Sequence, residues 1–297
     1  KWNEAISILR SLSAQFGYEE IKTPIIENID LFKQNIGYET DVSKEMFSWE
    51  DSSGNQLVLK PEMTAPVVRA YIESGFFRSK PLCKLFYIDA LFRREKPQKG
   101  RQRQFHQFGI EALGSSEVEQ DAEVILLATK ILYHLGITNI TLQINDIGNY
   151  ETRKKYQEKL DGYFSDYKSS LSKLSQNRLG NNSLRILDSK EEEDIEIIKN
   201  APLIKEFLTK EELNNYSSLL SHLDALGISY KENGYLVRGL DYYNGTTFEI
   251  SNMSSKSQNS LLGGGRYDNL VENMGGPSTP AVGFAAGIER LLIESSM

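Results

Sequence analysis

The sequence predicts an α+β fold, a strand-rich domain interrupted by a helical insert. Two observations predict it. Short strand signals crowd residues 1–115 and return over 234–297. The stretch between 150 and 233 is instead dense in Lys, Glu, Ser and Asn and poor in strand signals. The expected division is a first core part at 1–149, a helical insertion at 150–233 and a second core part at 234–297.

Each element has its own signal. Ile6, Leu9, Leu12 and Phe16 recur at helical spacing, and Gly17 closes that helix. Strands at 46–49 and 57–59 flank Asp51-Ser52-Ser53-Gly54, a hairpin turn. Thr64 is placed to cap a short helix carrying Val67, Val68 and Tyr71. Strands follow at 82–90 and 105–113, joined by a loop containing Pro97 and Gly100. Val118, Ala122, Ile125, Thr129, Leu132 and Leu135 share one face of a helix over 117–135, and a strand follows at 141–147. The insertion carries an acidic run at 191–194. After it come a strand at 242–250, the run Gly263-Gly264-Gly265, a helix near 266–274, a strand at 281–284 and a helix at 287–293.

Composition excludes several classes. Hydrophobic residues make up 39% and charged residues 25%, with 22 Gly and 8 Pro, so the chain is neither disordered nor collagen-like. Its 297 residues are ample for a buried core. No stretch approaches the ~18 apolar residues of a membrane helix, so no membrane partner is expected. The opening Lys1-Trp2-Asn3-Glu4 is not expected to be a signal peptide. A single cysteine, Cys83, excludes an internal disulfide and a Cys-based zinc site, and a cytoplasmic protein is expected. The net charge of −7 argues against nucleic-acid coating along the whole sequence but leaves room for a local basic patch.

Familiar motifs are missing: GxxxxGK[ST], GxGxxG, HExxH and GxSxG do not occur. Of the three histidines, His134, near the buried face of its helix, and His222 are expected to be structural.

The basic loop is the strongest local departure. Between 93 and 103 it holds Arg93, Arg94, Lys96, Lys99, Arg101 and Arg103 against Glu95 alone, a net +5. Several arginines on one loop suit a polyanion such as a triphosphate, although a solvated hairpin tip has the same composition. The following strand adds information. Its alternation puts Phe105, Gln107, Gly109 and Glu111 on one face and His106, Phe108 and Ile110 on the other. A face carrying Gln107 and Glu111 beside Phe105 is not a plain core face. A half-buried Glu needs a partner, and a ligand with a cationic or N–H-donating group would supply one.

Five segments then fall together: FGYEEIKTPIIE (16–27), LKPEMTAPVVRA (59–70), FRREKPQKGRQRQFHQFGIE (92–111), LVRGLDYYNGTTFEI (236–250), and GGGRYDNL (263–270) with AVGFAAGIERLL (281–292). They resemble the catalytic domain of the histidyl-tRNA synthetases, a family of class II aminoacyl-tRNA synthetases. In order they look like motif 1 with Pro24, the substrate-binding PE-T segment, motif 2, the histidine signature, and the glycine-rich strand with motif 3. The resemblance implies a class II-type antiparallel sheet of about six strands flanked by helices, and a homodimer formed through motif 1. It implies ATP with Mg²⁺ as cofactors, and L-histidine and tRNA(His) as partners. Histidine and ATP give histidyl-adenylate and pyrophosphate, and histidine then passes to the tRNA 3′ end. An anticodon-binding domain follows motif 3 in that family; the sequence stops at Met297, so that domain is expected to be absent here.

The resemblance also implies residue roles. Arg93 and Arg238 match the family's catalytic arginines at the α-phosphate. Glu62, Met63, Thr64, Gln107, Glu111, Tyr242, Tyr243 and Tyr267 match its histidine pocket, with Glu62, Thr64 and Gln107 on the ammonium and Glu111 and Tyr243 on the imidazole. If the 242–250 strand is regular, only one of Tyr242 and Tyr243 faces the pocket. Phe105 and Arg290 match the residues that sandwich adenine, Glu95 lies near the adenine or metal, and Arg101 and Arg103 would reach the outer phosphates. No protein ligand for a metal is assigned. The Gly263–Gly265 run is expected to let a ligand approach the backbone. The nearest rival is a non-catalytic relative, the histidine-sensing regulatory subunit of ATP phosphoribosyltransferase. Arg238 within RGLDYY and a complete motif 2 favour the enzyme.

Overall fold

The computed structural model describes residues 1–36, 40–96, 100–253 and 260–297. Pro97 and Lys99 of the basic loop lie outside the described residues. The strands are β1 (Glu19–Glu20), β2 (Ile26–Asn28), β3 (Phe47–Glu50), β4 (Gln56–Leu59), β5 (Cys83–Phe92), β6 (Gln104–Leu113), β7 (Ile140–Asp146), β8 (Tyr230–Glu232), β9 (Asn244–Asn252), β10 (Ser260–Arg266) and β11 (Ala281–Gly287). Eight form the main sheet in the order β1-β5-β6-β11-β10-β9-β7-β8. The six central strands pair antiparallel, and β1 and β8 add a parallel strand at each edge. The sheet is therefore wider than the six strands expected. Edge strands of two and three residues are too short for any alternation to show in sequence. The remaining strands form a small sheet in the order β2-β4-β3, and the expected 51–54 turn joins β3 to β4.

One face of the main sheet is covered by helices. Phe86, Phe108, Ile110, Phe248, Ile250, Val282 and Phe284 pack there against Leu9 and Leu12 of the Trp2–Gln15 helix and against Ile125, Ile131 and Leu132 of the Val118–His134 helix. Tyr216, Leu219 and Leu223 of the Lys210–Ala225 helix join the same cluster. The last helix of the stretch expected as an insertion thus packs on the core, and β8 follows it into the sheet. Arg266 ties the Val118–His134 helix to the end of β10. Its guanidinium bonds Asp121 Oδ2 (2.8 Å from Nε) and the carbonyls of Ser115 and Glu117 (2.9 Å each).

The opposite face carries the Thr64–Glu73 helix and the small sheet, in one buried cluster with Leu85, Tyr87, Leu91 and Leu113 that extends to Tyr156, Leu160 and Phe164 of the Tyr150–Asp166 helix. Alternation in β6 separates the two layers: Phe108 and Ile110 go to the helical side, Gln107 and Glu111 to the other. Three local expectations change. Thr64 does not cap its helix; the Glu62 carboxylate does, accepting from Thr64 N and Ala65 N at 2.9 Å. The helix near 266–274 shrinks to Leu270–Asn273. His134 is exposed rather than near the buried face, its Nδ1 2.8 Å from the Lys130 carbonyl.

Candidate active site

A cavity of about 380 Å³ opens on the polar face of the main sheet. Its floor is β6, β10 and β11, and its rim includes Glu62, Thr64, Arg93, Glu95, Arg101, Arg238, Tyr242, Tyr243 and Arg290. Of the residues singled out in sequence, Glu62, Thr64, Arg93, Glu95, Arg101, Phe105, Gln107, Glu111, Arg238, Tyr242, Tyr243 and Arg290 line it. Three do not. Met63 is fully buried behind the rim, with its sulfur 3.7 Å from Thr23 Oγ1. Tyr267 lies behind Glu111, to which its hydroxyl donates. Arg103 is exposed and outside the lining residues.

Glycines make the floor deep enough for large polar side chains. In β10, Gly263 lies across from Glu249 of β9. A Cβ at Gly263 would overlap the guanidinium of Arg238, which rests on this glycine. Glu249 Oε2 holds that guanidinium in place, 2.7 Å from Nη1. In β11, Gly283 lies across from Glu111 of β6, and a Cβ there would overlap the Glu111 carboxylate. In β6, Gly109 lies across from Tyr87 of β5, and a Cβ would overlap the Tyr87 hydroxyl. Direct cross-strand partners share a face, so Gly283 and Gly109 vacate the volume that Glu111 and Tyr87 fill, and Gly263 vacates room for the Arg238 guanidinium that its partner Glu249 holds. The space expected above Gly263 for a ligand is occupied by Arg238.

The pocket around Glu111 is held by neutral donors. Thr64 Oγ1 donates to Glu111 Oε1 at 2.8 Å, and the Tyr267 hydroxyl donates to Oε2. Burial pushes the Glu111 carboxyl up to about 8, against the pull of those donors. Burial likewise raises Glu62. The Tyr242 and Tyr243 rings pack 4.8 Å apart at a 45° tilt, and Tyr242 meets Tyr267 edge-on at 5.7 Å. Both tyrosines line the cavity, contrary to the alternation expected. They precede β9 in a turn, where strand alternation does not apply.

The rim is cationic. Arg93 Nε donates to the Pro61 carbonyl at 2.8 Å, and its guanidinium lies over the Phe105 ring, 5.2 Å from the centroid. Burial alone would lower Arg238, but Tyr243 and Glu249 outweigh it and leave the group raised. Its buried Nε has no hydrogen-bond partner. Arg290 donates to the Ser260 carbonyl at 2.6 Å. Glu95 is buried, and its Oε2 sits 3.4 Å from Arg101 Nε without hydrogen-bonding geometry.

Sequence reasoning missed Tyr87, Glu249 and Glu289. Tyr87 and Glu289 line the cavity, and Glu289 also binds His106 through N and Nδ1 at 3.0 and 2.8 Å. The signal for Glu249 was a carboxylate between Phe248 and Ile250, which point to the core. For Tyr87 it lay in pairing, which becomes visible only once β5 and β6 are in register.

The raised Glu111 carboxyl sets a pH dependence. Its folded-state value lies above the unfolded one, so its effect favours folding most below the unfolded carboxylate range. That contribution is lost as pH rises through about 8. Asp146, raised to about 7 by burial, acts with the same sign. Glu111→Gln removes the Glu111 contribution alone. Urea titrations of both proteins from pH 5 to about 9 should show the variant gaining on the parent as pH rises; a constant gap would contradict the burial of a titrating Glu111.

Comparison with known proteins supplies the context for this geometry. Residues 1–291 match the family model described as histidyl-tRNA synthetase. The chain is 46% identical over 293 residues to a histidine–tRNA ligase of Dictyoglomus turgidum, covering 98% of this chain and 71% of that protein. It is 47% identical to a histidine–tRNA ligase of Picosynechococcus sp., covering 98% and 69%. The apo histidyl-tRNA synthetase of S. aureus superposes with a TM-score of 0.79 at 36% identity, over 99% of this chain and 69% of that one. A Bacillus halodurans protein named as both an ATP phosphoribosyltransferase regulatory subunit and a histidyl-tRNA synthetase superposes with a TM-score of 0.71 at 26% identity, over 100% and 79%. The large central sheet flanked by helices is the class II synthetase fold, and the chain belongs to the histidyl-tRNA synthetase family.

Proposed function

We propose that this chain carries the catalytic site of a histidine–tRNA ligase. L-Histidine and ATP give histidyl-adenylate and pyrophosphate, and histidine is then passed to the 3′ end of tRNA(His). The observation that carries the reading is one cavity with Arg93 and Arg238 on its walls and Glu111 at its floor. A carboxylate buried among hydroxyl donors selects a ligand with a polar ring N–H and rejects apolar side chains, which would leave it unsatisfied.

In the first step a histidine carboxylate oxygen bonds the α-phosphorus while the bond to the β-phosphate oxygen breaks. No protein nucleophile is needed. The work is positioning and neutralising two anions, which two guanidinium groups lining one cavity can do. Glu111 and Tyr243 take the imidazole. With Glu111 titrating at about 8, it and the neutral imidazole share one proton near neutral pH, whichever atom holds it. Glu62, Thr64 and Gln107 take the ammonium; a carboxylate oxygen accepts more than one hydrogen bond, so Glu62 can do this while capping its helix. Arg93 leaves the Phe105 ring for the α-phosphate, and the freed ring and Arg290 hold adenine. Arg101 reaches the outer phosphates.

Among the described residues no group of three or more His, Cys, Asp and Glu is arranged to hold a metal unaided. The buried, unbonded Oε2 of Glu95 nonetheless fits a Mg²⁺ that takes its other ligands from ATP phosphates and water. Bound there, the ion would add charge neutralisation at the phosphates. The reading includes a homodimer. Ile26, Leu57, Leu59, Phe47 and Trp49 share one face of the small sheet and none is buried, which suits a second copy docking on the motif 1 side. It also places the enzyme in the cytoplasm. No helix among the described residues is long and apolar enough to cross a membrane.

Amino-acid-dependent exchange of pyrophosphate into ATP tests the reading. Histidine alone among the common amino acids should support exchange; folded chain without exchange would favour the histidine-sensing alternative. Arg238→Ala should slow exchange about 100-fold or more while histidine affinity changes less. Glu111→Ala should weaken histidine binding more than ATP binding, and equal losses would contradict the pocket.

A further inference from the structure

The segment bearing Arg238, Tyr242 and Tyr243 borders a second space, a cavity of about 770 Å³ between it and the helices of the insertion. The cavity leaves that side of the segment only partly packed, with Val237 and Leu240 against the buried cluster. Two arginines from the insertion cross the gap. Arg185 Nη2 donates to the Gly239 carbonyl at 2.5 Å and reaches Asp241 Oδ1 at 3.2 Å. Arg153 Nη1 donates to the Tyr243 carbonyl at 2.5 Å and to the Asp241 carbonyl at 3.4 Å. Asn182 adds a bond to Asp241 Oδ1 at 3.3 Å.

We infer that Arg153 and Arg185 are positioning residues by which the insertion sets the geometry of the active-site segment, each acting on a different end. Arg185 grips the backbone next to Arg238, the arginine on the reacting phosphate. Arg153 grips the backbone of Tyr243, the imidazole contact. This division rests on the function proposed above, but the clamp itself does not. It also gives a reason for Asp241 within RGLDYY: its side chain faces the insertion, where Arg185 and Asn182 bind it, rather than the substrate cavity, whose lining does not include it.

The test uses Arg185→Met and Arg153→Met, which keep an apolar stem and remove the donors. In pyrophosphate exchange, Arg185→Met should lower kcat about tenfold with histidine KM nearly unchanged, and Arg153→Met should raise histidine KM about tenfold with a smaller effect on kcat. ATP KM should stay near the parent value in both. Arg153→Lys, which keeps one donor, should recover part of the loss. A general structural defect would instead move every parameter together, and equal losses in the two variants would overturn the division. Trypsin supplies a readout that needs no activity. Cleavage after Arg238, identified by fragment mass, should speed up about tenfold in the double variant as the segment is released. Unchanged cleavage would overturn the clamp. A parent that shows no exchange would refute the proposed function, and the cleavage rate would still decide the clamp.

Discussion

Everything in the site depends on large polar side chains lying flat on a sheet. A sheet presents a Cβ every second residue on each face, and those atoms would lift a guanidinium or carboxylate off the floor. Three glycines remove the obstacle. Gly263 underlies the Arg238 guanidinium, Gly283 the Glu111 carboxylate and Gly109 the Tyr87 hydroxyl. The partner that fills or flanks each vacancy is the residue directly across the ladder: Glu249, Glu111 and Tyr87. Register therefore does chemical work here. A slip of one residue would turn the glycines away from the side chains they accommodate.

The charge arrangement follows from the same floor. Glu111 and Glu62 are buried and bonded only by hydroxyl and backbone N–H donors, so they hold protons more tightly than exposed carboxylates do. Cations stand on the walls instead, where Arg93 borrows the Phe105 ring and the Pro61 carbonyl, and Arg238 borrows Glu249. The deep end suits a basic side chain, and the walls suit anions. A substrate that brings an imidazole and an ammonium at one end, and a carboxylate to be joined to a phosphate at the other, matches both.

Much of this was legible before the fold was known. The alternation of 104–113 separated the core face from the site face. The concentration of arginines between 93 and 103 marked the rim, and the hairpin at 47–59 stood where its turn residues put it. Other features needed three dimensions. The edge strands β1 and β8 are shorter than a period of alternation can reveal. Tyr242 and Tyr243 both enter the cavity because the strand starts only at Asn244, a boundary that propensity does not resolve. Thr64 looked like a cap because hydroxyls usually cap. Its hydroxyl is instead taken by Glu111, 47 residues away, and Glu62 fills the vacant role. The glycine run looked like room for a ligand, since nothing local says that Arg238 folds back over Gly263. Arg103 and Arg101 are alike in composition and both exposed, and only the fold shows that Arg101 alone of the two lines the cavity.

The most direct measurement is the single-turnover rate of adenylate formation in Gly263→Ala. The three atoms nearest to the added methyl would all belong to the Arg238 side chain, so the backbone can stay in place while the guanidinium is displaced. A rate about 100-fold below the parent, with thermal stability close to it, is the expected result. A rate equal to the parent's would contradict the central claim that Arg238 must lie in the space the glycine leaves.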